Sequence, residues 1–374
     1  MHEASFTINL ISFSPEMMPT SKKKAVPPTK RSFKRLWQVL LFLIFLGICI
    51  QGIHYYRIFF KSNVNTGNQP YAFLYIRTGT DFSAVKKQLN EQHYLLDLIS
   101  FEKVAVKKNY EVKVKPGRYK IVNGMNNNAL VNLLRSGKQE PVRLILQNVK
   151  TPGELAGRVA GQIEADSLSI LNRLNDRDYL RKFGAEPATV FTLFIPNTYE
   201  FLWNTSADQF IQRMYRERQK FWNDERIMKM SEDGLDIAGV VTLASIIEKE
   251  TAKNSEKPVI AGVYMNRLRK DWPLQADPTL IFAWNDYTIK RVLNKHKEID
   301  SPYNTYKYTG LPPGPICLPS VSSIDAVLNY EKHSYMYFCA KEDQSGYHNF
   351  SVTLAEHDRN ADRYQAAQKR LNTR

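Results

Sequence analysis

Two glutamates stand two residues apart at the end of an apolar run, Thr242-Leu-Ala-Ser-Ile-Ile-Glu-Lys-Glu-Thr-Ala252. A carboxyl group pressed against apolar neighbours loses solvation of its charged form, so its pKa rises and it can donate a proton near neutral pH. Ile237, Val240, Val241, Leu243, Ala244, Ile246 and Ile247 recur at helical spacing and predict a helix with a broad apolar stripe. Glu250 lies seven residues after Leu243, four after Ile246 and three after Ile247, which puts it along that stripe. Glu248 falls nearer the margin and Lys249 points away. The spacing favours Glu250 as an acid catalyst. The plainer alternative is a solvated last turn in which Glu250 pairs with Lys253 at i,i+3 spacing.

Further polar groups follow in order: Val263-Tyr-Met-Asn-Arg-Leu268, Leu274-Gln-Ala-Asp-Pro-Thr279, Tyr303-Asn-Thr-Tyr306 and Gly310-Leu-Pro-Pro-Gly-Pro-Ile316. Asp277 or Thr279 could cap the helix beginning near Leu280, or Gln275 and Asp277 could face a ligand. The stiff loop holding Asn304 and Tyr306 suits sugar faces and hydroxyls, although aromatics on a loop can equally anchor a core. With the acidic helix, these motifs resemble the YceG-like family of endolytic murein transglycosylases, from about Tyr71 to the C-terminus.

The resemblance implies Glu250 as the acid, because lysozyme-type lytic transglycosylases carry a helical Glu followed by Ser, and Thr251 follows Glu250 here. It implies Gln275, Asp277, Asn304 and Tyr306 at the glycan. Asn197, in Ile195-Pro-Asn-Thr-Tyr-Glu200, stands where many relatives have Asp. A second catalytic carboxylate is therefore not expected there, and Asn197 is either a binding-wall residue or a turn former. The implied reaction cleaves the bond between MurNAc and GlcNAc and closes the MurNAc 6-hydroxyl onto C1. Ordinary glycosidases need two carboxylates, but an intramolecular hydroxyl present at high effective concentration allows one residue to serve as acid and then base. Glu248 and Asp277 remain contenders. A hydrolytic muramidase and a non-catalytic glycan-binding scaffold of the wall-synthesis machinery are the alternatives. Contact with peptidoglycan synthases is implied by the resemblance alone.

In a chain of 374 residues the net charge of +15, part of it before residue 36, demands a reason, and a basic folded region could attract nucleic acid, an anionic bilayer surface or an acidic polymer. No nucleic-acid-reading motif is present, which leaves peptidoglycan stems and anionic lipid. Leu36 to Ile53 is apolar apart from two glutamines and would span roughly 27 Å as a helix, enough for a bilayer core. Basic residues precede it and Tyr55-Tyr56 follow, predicting an uncleaved single-pass anchor in the bacterial cell (inner) membrane with the remainder outside the cytoplasm; the alternative is a cleavable signal peptide, although no small-x-small cleavage site follows the run. Translation could begin at Met1, Met17 or Met18. No cysteine and histidine spacing suits a metal, so neither metal nor cofactor is expected, and Cys317 and Cys339 are expected as packed free thiols.

The expected organisation is a basic cytoplasmic tail (1–35), a transmembrane helix (36–58), a polar linker (59–70), a small mixed region (71–141) and a catalytic domain (142–374). In the mixed region, a strand at Ala72–Arg77, a helix capped by Asp81, extended structure from Val112 to Ile121 and a helix at Asn128–Arg135 are predicted. The resemblance implies that this region is LysM-like and contacts glycan; a purely structural spacer is the alternative, since nothing in its side chains identifies a sugar site. A strand at Val142–Leu146 and a helix at Glu154–Glu164 behind a Thr151 capping box follow. Phe191 to Leu202 reads as extended, Ser323–Tyr330 as helix, Tyr335–Cys339 as a buried strand and Thr353–Leu371 as a final amphipathic helix. Short strands with segregated helices indicate an α+β fold.

Overall fold

A computed structural model describes residues 30–372, with side chains over 33–370. The tail before residue 30, with Met17 and Met18, lies outside the described residues. Helix α1 (Lys30–Phe60) is a compact unit by itself. Its segment Phe33–Phe60 has a mean hydropathy of 2.3 and is long and apolar enough to cross a membrane. It outruns the expected span at both ends, because no proline between residues 30 and 60 interrupts the backbone ladder.

Residues 62–374 form the second unit. It opens with β1 (Tyr71–Ile76), α2 (Phe82–Glu91), α3 (Leu98–Lys107), β2 (Gly117–Val122) and α4 (Asn127–Ser136). β1 and β2 pair antiparallel, Tyr71 opposite Val122 and Ile76 opposite Gly117. Strand alternation turns Leu74, Ile76, Tyr119 and Ile121 inward, and Val85, Leu89, Phe101 and Leu130 are fully buried with them. Asp81, Asp97 and Asn126 cap the three helices. Part of the expected linker belongs to this fold. Asn63 and Val64 are buried, and the Asn63 amide donates to the Asp97 carbonyl at 2.8 Å and to Asn127 Oδ1 at 2.7 Å.

The chain continues through β3 (Val142–Leu146), α5 (Pro152–Ala160), α6 (Ser167–Asn175), α7 (Arg177–Arg181), a 3-10 segment at Pro187–Leu193, β4 (Asn197–Phe201) and α8 (Ala207–Phe221). β3 pairs antiparallel with β4, placing Leu146 opposite Asn197. The extended stretch expected from Phe191 is thus divided. Glu186 and Thr189 cap each other reciprocally and hold the 3-10 turn, so extended backbone begins only afterwards. Thr151 caps α5 through Glu154 N–H at 3.1 Å. Glu154 reaches Lys150 N–H at 2.8 Å rather than closing the box on Thr151, and α5 stops at Ala160, where Gly161 follows.

Next come α9 (Asp224–Glu232), α10 (Ile237–Glu250), α11 (Lys257–Arg269), α12 (Asp277–Trp284), α13 (Val321–Leu328), β5 (Tyr337–Ala340), β6 (His348–Ser351) and α14 (Leu354–Asn372). Among the described residues the strands form three separate antiparallel pairs, which gives a mixed helix-and-strand fold consistent with α+β. One apolar core lies around β3, β4 and α5–α8, and a second around α10, α11 and α13. α10 carries no simple stripe: Val240 through Ile247 are all buried, as in a helix surrounded by protein. β5, expected as a buried strand, is only half-buried because it belongs to a two-stranded ribbon.

Candidate active site

Glu250 ends α10, where the buried helix meets solvent. It is partly exposed and lines an open cleft of about 490 Å³, together with Glu248, Lys249, Thr251, Asn254, Lys257, Ser320 and Ser322. It does not pair with Lys253. Its Oε1 instead accepts the Tyr264 hydroxyl at 2.7 Å, and Lys253 Nζ lies 4.8 Å from the Tyr347 ring centre. Burial pushes the Glu250 carboxyl up to about 7, opposed by the Tyr264 hydrogen bond, assisted by the nearby charge of Asp277 and opposed again by Arg267. It can therefore hold a proton near neutrality and still give it up.

Tyr264 and Arg267 stand three residues apart on α11. Both are buried. Arg267 Nε donates to the Met336 carbonyl at 2.8 Å and its Nη1 to the Leu274 carbonyl at 2.5 Å, which fixes a cation beside the acid. The Val263–Leu268 motif contained both residues, but neither stood out as a site residue. Their i,i+3 spacing was the available signal, since it places a phenol and a guanidinium on one helical face.

Asp277 is the first residue of α12 and does not cap it; Ala276 holds the cap position. Its Oδ1 accepts the Tyr306 hydroxyl at 2.5 Å. Thr305 brings the two residues together. Its carbonyl accepts Gln275 N–H at 2.9 Å, and its hydroxyl accepts Ala276 N–H at 3.0 Å and lies 2.9 Å from the Thr279 hydroxyl. Burial, then Asp277, push the Tyr306 phenol up, and Glu250 adds to the effect. Glu250, Tyr264, Arg267, Asp277 and Tyr306 thus form one electrostatic cluster.

The other expected residues fare differently. Gln275 is exposed with a left-handed backbone, φ 52°, and its side-chain amide makes no hydrogen bond among the described residues. Asn304 is fully buried. Its amide donates to the Lys297 and Ile299 carbonyls at 2.8 Å each, while its Oδ1 accepts Tyr306 N–H at 3.1 Å. It offers no surface to a ligand and acts by shaping the loop beneath Tyr306. Asn197 is exposed, and its side-chain oxygen accepts the neighbouring Thr198 N–H at 2.7 Å. No hydrogen bond joins it to the Glu250 cluster among the described residues.

Glu248, the other contender, has a different environment. Its Oε2 accepts the Ser320 and Ser323 hydroxyls at 2.5 Å each and lies 3.1 Å from the Nζ of buried Lys257. Burial pushes this carboxyl up, but the hydrogen bonds from Ser320, Ser323 and Lys257 and the lysine charge outweigh it, so the net direction is downward. Glu248 is held ionised at the N-terminus of α13, where an anion also meets favourable helix charge. Cys317 and Cys339 are free, and burial pushes the Cys317 thiol up to about 12.

The model of the YceG-like family matches residues 74–363. A Bacillus subtilis protein named endolytic murein transglycosylase is 32% identical over 77% of this chain and 83% of its own length. A Streptococcus pneumoniae protein of the same name is 26% identical over 86% of this chain, which spans 64% of that longer relative. Among solved structures, a YceG-like protein from Listeria monocytogenes superposes with a TM-score of 0.53 at 30% identity, covering 78% of this chain and 98% of that one.

Proposed function

Because the chain belongs to the YceG-like family, we propose that it is a membrane-anchored lytic transglycosylase that cuts peptidoglycan strands internally with Glu250 as its acid and base. The observation that carries this reading is a carboxyl at the end of a buried helix, accepting the Tyr264 hydroxyl at 2.7 Å at the wall of an open cleft, where burial pushes its pKa up. Protonated Glu250 would give its proton to the leaving GlcNAc oxygen as the bond to MurNAc C1 breaks. The resulting carboxylate would then take the proton of the MurNAc 6-hydroxyl as that oxygen bonds to C1. No water is consumed, and Glu250 returns to its starting form.

Tyr264 holds the carboxyl in position, and buried Arg267 limits how far its pKa climbs. The Asp277–Tyr306 pair presents negative charge beside Glu250, suited to stabilising an oxocarbenium-like transition state. Gln275, with its unengaged amide, and exposed Asn197 remain proposed sugar contacts; Asn304 acts through Tyr306. The mixed region from β1 to α4 has the strand-helix-helix-strand order of a LysM-like unit, and we assign it glycan contact on that likeness.

Detergent-solubilised full-length protein and its Glu250→Gln variant, each incubated with purified peptidoglycan, test the reading by mass analysis of the released fragments. Fragments ending in 1,6-anhydro-MurNAc, lost in the variant, are expected. Products heavier by one water would make the enzyme a hydrolase, with Asp277 the first candidate for positioning that water. Absence of release by folded protein would reduce it to a glycan-binding scaffold.

A further inference from the structure

The membrane helix ends at Phe60, and only Lys61 separates it from Ser62, the first residue of the second unit. From Ser62 the backbone is tied down at once. Ser62 bridges Asn126 and Val64 bridges Leu95, and the Asn63 carbonyl accepts Leu96 N–H at 2.9 Å. Phe60 and Asn63 are three residues apart along the chain, a reach of at most about 10 Å, and Asn63 is the hydrogen-bond partner of Leu96.

Leu96 is 68% exposed and Ile99, in the first turn of α3, is 67% exposed. Further along α3, Val106 is 49% exposed. Lys103 and Lys107 share this outer surface and make no ion pair among the described residues, whereas the neighbouring Glu102 is paired with Lys86 at 2.5 Å. Apolar side chains flanked by unpaired lysines match a bilayer interface, where hydrocarbon enters the headgroup boundary and cations meet anionic lipid.

We infer that Leu96 and the outer face of α3 dock onto the anionic lipid surface from which α1 emerges, giving the enzyme a second membrane contact beside its anchor. This rests on α1 spanning the membrane. The occupant is lipid rather than glycan because the face carries the exposed aliphatic side chains of Leu96, Ile99 and Val106 beside two lysines, and because this segment follows α1 by a short stretch of chain.

The test uses full-length protein carrying Cys49→Ser, Cys317→Ala and Cys339→Ala, reconstituted into phosphatidylcholine–phosphatidylglycerol vesicles. An environment-sensitive fluorophore is attached in turn at Ile44→Cys, Ile99→Cys and Leu168→Cys, and lipids spin-labelled in the headgroup or mid-chain serve as quenchers. Position 44 reports whether α1 is inserted, and exposed Leu168 on α6 serves as an aqueous control. Headgroup-lipid quenching at position 99, well above that at 168 and reduced by Lys103→Glu with Lys107→Glu or by pure phosphatidylcholine, is the expected result. Quenching at 44 with position 99 no different from 168 would overturn the docking and leave the anchor intact. No quenching at 44 would remove the anchor and the docking with it. If soluble peptidoglycan fragments shift the probe at 99 while lipid quenchers do not, the face belongs to glycan and the inference fails.

Discussion

Glu250 and Tyr264 make a two-atom device whose behaviour with pH can be worked out. The hydroxyl of Tyr264 stabilises the carboxylate, so Tyr264→Phe raises the Glu250 pKa further above 7. On the proposed role of Glu250, the alkaline limb of kcat/KM is expected to move to higher pH in that variant while the maximal rate falls. A pH–rate profile on soluble glycan fragments checks this. Stability follows from the same group. Below its ordinary value of 4.5 the carboxyl is protonated in both folded and unfolded chains; between 4.5 and about 7 the unfolded chain ionises first, so folding stability falls as pH rises. Glu250→Gln removes that loss. The variant melts with the wild type at pH 4 and above it at pH 8, by at most about 3 kcal/mol and less where solvent reaches the carboxyl edge. Equal melting at both pH values would mean that the carboxyl is not perturbed.

Among the elements, α10 delivers two carboxylates to two tasks, and α13 depends on one of them. Glu248→Ala leaves Lys257 buried without its partner and removes an acceptor for Ser320 and Ser323, a loss on the order of 3–5 kcal/mol by denaturant titration. α11 is held equally closely. A Cβ at Gly262 would stand 2.2 Å from the Glu331 carbonyl oxygen, so Gly262→Ala is expected to cost about 1–3 kcal/mol and to disturb Tyr264 two residues on. Features set by local chemistry were legible in the sequence: the Asp81 cap, the Thr151 cap and the apolar run ending at Glu250. Features set by distant partners were not. β3 finds β4 across some fifty residues, Tyr264 reaches Glu250 from the next helix, and an amide in a loop such as Asn304 bonds backbone carbonyls or sugar hydroxyls with equal ease. Asp277 looked like a cap because a carboxylate at a helix start usually is one, yet a tyrosine from a loop twenty-nine residues away claimed it.

For the whole molecule, the boundary between α1 and the folded unit is sharper than a polar linker suggests. A soluble protein beginning at Ser62 keeps buried Asn63 and Val64, whereas one beginning at Thr66 loses them. The shorter protein is expected to melt lower, with a deficit of about 2–4 kcal/mol from lost hydrogen bonds and apolar burial, and paired calorimetric scans would show it. The fold also carries two glutamates, two positions apart, whose proton affinities are driven in opposite directions. Acidification and alkalinisation therefore end activity by unlike routes. On the proposed role of Glu250, activity is expected to fall above neutrality as that carboxyl loses its proton, and to return on titration back. At low pH Glu248 is expected to take up a proton, which weakens its hold on Lys257, Ser320 and Ser323 and lowers folding stability. The working range is bounded by reactivity on one side and by mechanics on the other, so each edge can be moved without disturbing its opposite.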